Sequence, residues 1–349
     1  QGGWRPHMLA GADHEGWCRT VGARYGVEFR YFGEKSPCGS ACCKRRDPKA
    51  PPATQRRGSF LVVGDWGYDH VSHSWNVQPQ CSPLVADRML ETMWMLGDVK
   101  FVINVGDSFY PNGVWGKGDP QWQTKWRDVF DEEVRSVPWY SVYGNHDYHS
   151  DPCICSDDVE ACAQVNTGNL SHFEMPSYTY FKDLPELGVE IVGMDLNQFM
   201  DGFDHSKTRE QNAFADCQWT SCKDTCWSRA KARTDASFDL FHERMAKSIA
   251  KSMIVFSHYP TDYFTAAPEF MEALRSPARN ITYFGGHRHS TDQTSTASIA
   301  PNTNWLVGGG GGWSCDTTSQ GFVVGEILLD GSVKTWRVIV DAPTCCAMR

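Results

Sequence analysis

The chain is 349 residues long, with 41% hydrophobic and 21% charged residues, which is close to ordinary globular usage and ample for a sizeable core. A formal net charge of −9 argues against a protein that grips a phosphate backbone, so nucleic acid is not an expected partner. No apolar run reaches the length of about 18 residues that a transmembrane helix needs.

Residues 1–58 are Gly-rich, lack periodic apolar pattern and end in RRDPKAPPATQRR. They predict an N-terminal extension followed by a linker, and with the later insertions they are where protein partners are expected to attach. Lys44, Arg45, Arg46, Lys49, Arg56 and Arg57 gather here, and they are read as a solvated charge run. The first residue is Gln1 rather than Met, so a processed form is expected.

At Ser59 the character changes. Residues 60–64 (FLVVG) predict a buried strand ending in Asp65. A helix is predicted over 82–96, where Leu84, Val85, Met89, Leu90 and Met93 recur at helical spacing. Residues 101–114, FVINVGDSFYPNGV, read as a strand that delivers Asp107 and, three residues on, Tyr110. A helix near 121–130 and a strand at 138–143 follow, the strand ending in Gly144-Asn145-His146-Asp147. Residues 148–188 predict an irregular Cys-bearing insertion, 189–195 (VEIVGMD) a buried strand, and 200–235 a second disulfide-stapled insertion. A helix over 237–251 feeds the strand 253–256, which ends in Ser257-His258-Tyr259-Pro260. A short helix at 269–275 leads to the strand 281–284 and Gly285-Gly286-His287-Arg288-His289. The chain closes with Trp305-Leu306-Val307, five glycines at 308–312, and strands at 322–329 and 333–340. Asp330-Gly331 between those strands is a hairpin signal, expected to finish a second sheet. The glycine run is no P-loop, since no Lys-Ser/Thr follows it.

The 14 cysteines cluster in polar stretches between the apolar strands, without the paired CxxC spacing of a zinc knuckle. They suit disulfides formed in an oxidising compartment, and the sequons at Asn169 and Asn280 agree. A secreted or lumenal location follows: extracellular, cell-surface or an acidic vacuole.

Any one Gly-Asp turn or strand-end histidine is ordinary. Five strand ends that deliver Asp65, Asp107 with Tyr110, Asn145 with His146, His258, and His287 with His289 point together to a metal site. No thiolate is among them, so a structural zinc site is not expected. Carboxylate, imidazole, amide oxygen and phenol suit Fe, Mn or Zn, and a phenol binds best as phenolate to a small, highly charged ion such as Fe(III). So many donors are natural for two ions that share a bridge.

The set GDWG, GDSFYPNGV, GNHD, SHYP and GHRH, in this order, resembles the purple acid phosphatases, most closely the compact tartrate-resistant type within the calcineurin-like metallophosphoesterases. The resemblance covers about residues 59–341 as a catalytic domain, leaving 342–349 as a tail. It implies an α/β fold, a two-sheet β-sandwich of mixed sheets flanked by helices. It implies Fe(III) held by Asp65, Asp107, Tyr110 and His289. A second ion (Fe, Zn or Mn) would be held by Asp107, Asn145, His258 and His287. His146 would lie beside the substrate, as proton donor or oxyanion partner. The implied activity is secreted acid phosphatase action on phosphate monoesters, by attack of a metal-activated water.

One departure stands out. The family usually carries a further histidine some nine or ten residues after the SHYP-type histidine; here that stretch reads TDYFTAAPEF, with Ala266 and Ala267 and no histidine. His149 or His70 is a candidate to stand in. This departure, the extension and the insertions motivate an alternative: a phosphatase-like scaffold or cell-surface attachment protein that keeps its metal site. A phosphodiesterase or nuclease on the same fold is disfavoured by Tyr110 in its GDxFY setting and by the acidic charge.

Overall fold

The computed structural model describes residues 29–31, 42–44, 56–67, 81–149, 164–165, 172–199, 223–311 and 319–340. Within the predicted extension, β1 (Phe29–Tyr31) and β2 (Cys42–Lys44) pair antiparallel as a small sheet of their own. The rest of the architecture follows from strands that are apolar on both faces. Such strands need cover on both sides, and two stacked sheets with helices outside provide it.

The first sheet is built on β3 (Arg56–Val63), β4 (Val99–Asn104), β5 (Trp139–Ser141) and β6 (Phe173–Glu174), which run parallel to one another in that order. The second is built on β7 (Tyr180–Leu184), β8 (Val189–Gly193), β9 (Ser252–Phe256), β10 (Asn280–Gly285), β11 (Thr291–Asp292) and β12 (Thr303–Val307). Its spatial order is β11-β12-β10-β9-β8-β7, with parallel pairing from β12 through β8 and antiparallel strands at both edges. The closing hairpin, β13 (Gly321–Leu328) and β14 (Val333–Ile339), turns at Gly331 with φ +82°. It does not complete the second sheet, as the sequence suggests. β13 pairs antiparallel with β3, Val323 opposite Val62, so the hairpin extends the first sheet to β14-β13-β3-β4-β5-β6. The mixed two-sheet sandwich implied by the resemblance is the fold observed.

Phe60 of β3 stacks on Phe101 of β4 at 5.0 Å and meets Phe284 of β10 edge-on at 6.1 Å, so its ring joins the two sheets. Val62, Val102, Ile254 and Phe256 fill the same layer at 0% exposure, each contributing about 1.5–3 kcal/mol by leaving water. A second apolar cluster lies on the other side of the second sheet. There Met253, Val255 and Tyr283 meet Phe241, Phe270 and Leu274 of the helices.

Helix α1 (Ser82–Leu96) has the predicted bounds; it ends where Gly97 takes φ +72° and donates to the Met93 carbonyl at 2.8 Å. The five-residue α2 (Asn145–His149) follows β5. The helix expected at 121–130 is a π-type segment, Trp122–Arg127. Helix α3 spans Lys223–Lys247, beginning well inside the stretch read as a stapled loop, and α4 is Pro268–Leu274. The insertion expected at 148–188 contains β6 and β7. Arg56, read as linker, is the first residue of β3, and its guanidinium is held by Asp98 at 2.7 Å and by Glu326. Neither Cys81 nor Cys226 is a free thiol. No helix among the described residues is long and apolar enough to cross a membrane.

Candidate metal centre

The strands of both sheets end at one seam. β3 leads to Asp65, β4 to Asp107 and Tyr110, β5 to Asn145 and His146, β9 to His258, and β10 to His287 and His289. All the oxygen donors therefore come from the first sheet, and His258, His287 and His289 from the second. Among the described residues four non-glycine residues adopt positive φ, and three of them are Asp65 (56°), Asp107 (52°) and His287 (71°). Left-handed backbone costs a residue with a Cβ about 1–3 kcal/mol and persists where packing over-determines it. Packing does so here. A Cβ on Gly144 would lie 2.1 Å from Asp107 Oδ1, and one on Gly286 2.4 Å from Asp65 Oδ2. The neighbouring glycines let the backbones approach closely enough to aim the carboxylates inward.

Asp107 occupies the middle. Its Oδ2 accepts from the Tyr110 hydroxyl at 2.8 Å and lies 3.4 Å from His258 Nε2, while Oδ1 accepts from the His146 backbone N–H at 3.0 Å. Asn145 Oδ1 lies 3.1 Å from His258 Nε2 and 3.0 Å from His287 Nδ1, and those two ring nitrogens are 3.2 Å apart. His258 Nδ1 lies 2.9 Å from the Val105 carbonyl, so a ring proton sits there and Nε2 is the atom that faces the seam. On the other side, Asp65 accepts from the His287 N–H at 3.0 Å and lies 3.8 Å from His289 Nε2.

The donor chemistry fits a metal. Among the described residues, Asp107, His258 and His287 offer ligand atoms that all lie within 4.8 Å of one another. Asp107 Oδ2, Asn145 Oδ1, His258 Nε2 and His287 Nδ1 crowd together through contacts of 3.0–3.4 Å, and carboxylate, amide oxygen and imidazole are the donor types a divalent cation takes. The electrostatics agree. Burial, with the Asp107 charge added, raises the Asp65 carboxyl to about 7. Burial would lower His258, but the Asp107 and Asp65 carboxylates outweigh it and push the imidazole up to about 9. Burial and the neighbouring His258 hold His287 well below its ordinary value. Burial followed by Asp107 and Asp65 raises the Tyr110 phenol well above its usual range. The phenol therefore keeps its proton and donates it to Asp107; a highly charged cation between them is what would favour phenolate.

His146 packs against Tyr110, ring centroids 4.2 Å apart and planes tilted by 34°, and its Nδ1 lies 2.7 Å from the Pro111 carbonyl. That contact assigns the Nδ1 proton and leaves Nε2 as the atom for proton transfer. Asp147, to which the sequence analysis gave no role, accepts from the backbone N–H groups of Ser108, Phe109 and Gly144 at 2.9–3.0 Å and so ties the Asp107 loop to the Asn145 loop. The signal for it was present, since it closes the GNHD motif.

The position of the missing histidine is filled by structure of another kind. Ala266 is exposed and Ala267 is buried in the cluster around Phe264 and Phe270. Tyr263 packs on His287 edge-on at 5.3 Å. His70, the side chain of His149, and Asn169 lie outside the described residues. Asn280 is exposed at the start of β10, while Thr282 of the same sequon is 6% exposed within the sheet.

Comparison with known proteins places the chain in a family. Residues 58–291 match the model of one family, the calcineurin-like phosphoesterases. The chain is 43% identical over 101 residues to purple acid phosphatase 3 of Arabidopsis thaliana, covering 29% of this chain and 25% of that one. It is 29% identical over 137 residues to human tartrate-resistant acid phosphatase type 5, covering 38% of each. The match thus spans a quarter to two-fifths of the length of these curated relatives. Among solved structures, one described as GAP50, the anchor in the inner membrane complex of Plasmodium, shares the fold with a TM-score of 0.54 at 18% identity. It covers 84% of this chain and 87% of that one.

Proposed function

The chain belongs to the calcineurin-like phosphoesterase family, and from that premise we propose that it is an acid phosphatase of the purple type, hydrolysing phosphate monoesters at a dinuclear centre. The observation that carries the reading is the seam itself, where Asp107 stands between the Tyr110 hydroxyl at 2.8 Å and His258 Nε2 at 3.4 Å. Asp65, Asp107, Tyr110 and His289 would hold Fe(III). Asp107, Asn145, His258 and His287 would hold Fe, Zn or Mn. The bound ions would supply Lewis acidity, activating a water and orienting the phosphate for in-line attack.

The chain's own residues do the rest. Asp107 reaches donors of both sets and keeps the two subsites in register. Asp147 fixes the distance between their loops. His146, oriented through Nδ1 on the Pro111 carbonyl, presents Nε2 to the leaving-group oxygen, where a proton transfer contributes about 10²–10⁴-fold. The reading extends to a secreted or lumenal protein whose cysteines form disulfides and whose sequons carry glycans, with residues 59–341 as the catalytic domain.

A second reading rests on Ala267, buried where the family carries an imidazole: a scaffold or attachment protein that retains its metal site. The assay that separates the two is hydrolysis of p-nitrophenyl phosphate by the metal-loaded protein from pH 4 to 8. Turnover with an acidic optimum is expected. A protein that shows a tyrosinate-to-iron band and no turnover would establish the scaffold reading instead.

A further inference from the structure

The end of β8 contributes no donor to the seam, yet it carries a buried polar chain that reaches the seam from behind. Asp195, Asn197 and Tyr259 are all 0% exposed and Arg233 of α3 is 4% exposed. Arg233 pairs with Asp195 at 3.5 Å, and Asp195 Oδ1 accepts from the Asn197 backbone N–H at 3.0 Å and from its Nδ2 at 2.8 Å. Asn197 Nδ2 also donates to the Tyr143 carbonyl at 3.4 Å, and its Oδ1 accepts from the Tyr259 hydroxyl at 3.0 Å. These bonds allow only one orientation of the amide. A flip would set its oxygen against a carboxylate and a carbonyl.

The two far ends of this chain matter. Tyr143 is two residues before Asn145. The Tyr259 ring packs on His258 at 5.1 Å and on His287 at 5.0 Å. One amide thereby braces the backbone or ring support of Asn145, His258 and His287, the three residues assigned to the second ion alone. The first-ion residues take their own bonds, Tyr110 donating its hydroxyl to Asp107 at 2.8 Å and Asp65 accepting from the His287 N–H at 3.0 Å.

We propose that Asn197 is a positioning residue for the second-ion subsite, acting through Tyr143 and Tyr259, so that its loss empties one half of the centre and spares the other. The inference rests on the dinuclear reading above. Outer partners of metal ligands typically change metal affinity by about 10–100-fold.

The test uses the full-length protein with Fe(III) in the first subsite and Zn(II) as the probe of the second, its affinity read by competition with a chromophoric chelator. Asn197→Leu is expected to weaken Zn(II) binding about 10–100-fold while the visible tyrosinate band keeps its position and intensity. Tyr259→Phe, which removes only the hydroxyl, is expected to shift Zn(II) affinity in the same direction by less, and it carries the test if Asn197→Leu does not fold. Unchanged Zn(II) affinity in the folded variants would overturn the proposal. So would equal loss of Zn(II) and of the band, which would mark the network as general support. A wild-type protein with the tyrosinate band but no Zn(II) uptake would overturn the dinuclear reading and this inference with it. A two-ion wild type with indifferent variants would overturn this inference alone.

Discussion

The first sheet ends in oxygen donors and the second in imidazoles. Asp65, Asp107, Tyr110 and Asn145 follow β3, β4 and β5, whereas His258, His287 and His289 follow β9 and β10. Each set is incomplete for either ion. On the proposed assignment the first subsite would need His289 from the second sheet, and the second would need Asp107 and Asn145 from the first. The difference teaches that such a centre would be completed only where the two sheets dock, at a seam whose residues are largely buried. Burial raises Asp65 to about 7 and sets the carboxylates against each other unless a cation answers them. The second sheet carries its own precaution, with His258 oriented by the Val105 carbonyl from across the seam at 2.9 Å.

The sharpest break in this arrangement is Asp107→Ala, which removes the one carboxylate proposed to serve both ions. Metal content should fall at both subsites, and turnover by at least about 10³-fold, the scale of losing a central electrostatic group. Metal analysis beside p-nitrophenyl phosphate kinetics checks it, and full retention of either ion would contradict a shared role. His146→Ala should act differently because its ring belongs to neither set. A fall of about 10²-fold in kcat with both ions retained is expected, and loss of metal would show that His146 is a ligand after all.

The strand-end residues were legible in the sequence because each ends an apolar run and most are flanked by glycine. That local pattern records the left-handed turns at Asp65, Asp107 and His287. The division between sheets was not legible. The hairpin signal at Asp330-Gly331 is local, but its partner is β3, with Val323 opposite Val62, and nothing within the hairpin encodes that pairing. Helix α3 was read too short because Lys223–Ser237 is polar and carries Cys226, which resembles a stapled loop until Ala230 and Phe241 are seen buried in the cluster beneath the second sheet. Asn197 gave no signal and Tyr259 stood only as part of the SHYP motif, since a strand-end Asn and an aromatic after His258 show no link until the fold brings them together.

Away from the seam the sheets can be tested separately. Arg56, side chain 3% exposed, clasps Asp98 and Glu326 at the far end of the first sheet. Arg56→Met leaves those carboxylates without their cation and should cost about 3–5 kcal/mol, measured by urea denaturation, with metal content unchanged in the folded protein. A co-ordinate loss of metal would mean that strain travels the length of β3. The smallest effect is expected at the rim of the second sheet. Burial would raise Asp292, but the backbone N–H groups of Ser295 and Thr294 and the Ser295 hydroxyl outweigh it and hold the carboxyl below its ordinary value. A depressed carboxylate stabilises above its unfolded pKa and loses that contribution as pH falls through the folded one. Asp292→Asn should therefore cost a few tenths of a kcal/mol, about the value of a solvent-screened pair, at pH 7. The difference should shrink as the buffer is acidified below the ordinary carboxylate range. A cost that does not change with pH would assign the effect to packing.

The seam between the sheets is proposed to hold two ions, with Tyr110 bound as phenolate to one of them. Metal analysis of the purified protein together with its visible spectrum, before and after Tyr110→Phe, tests that claim most directly. The predicted result is two ions per chain and a visible tyrosinate-to-iron band that Tyr110→Phe abolishes. A protein that carries two ions but shows no such band, or a band that survives Tyr110→Phe, would contradict it.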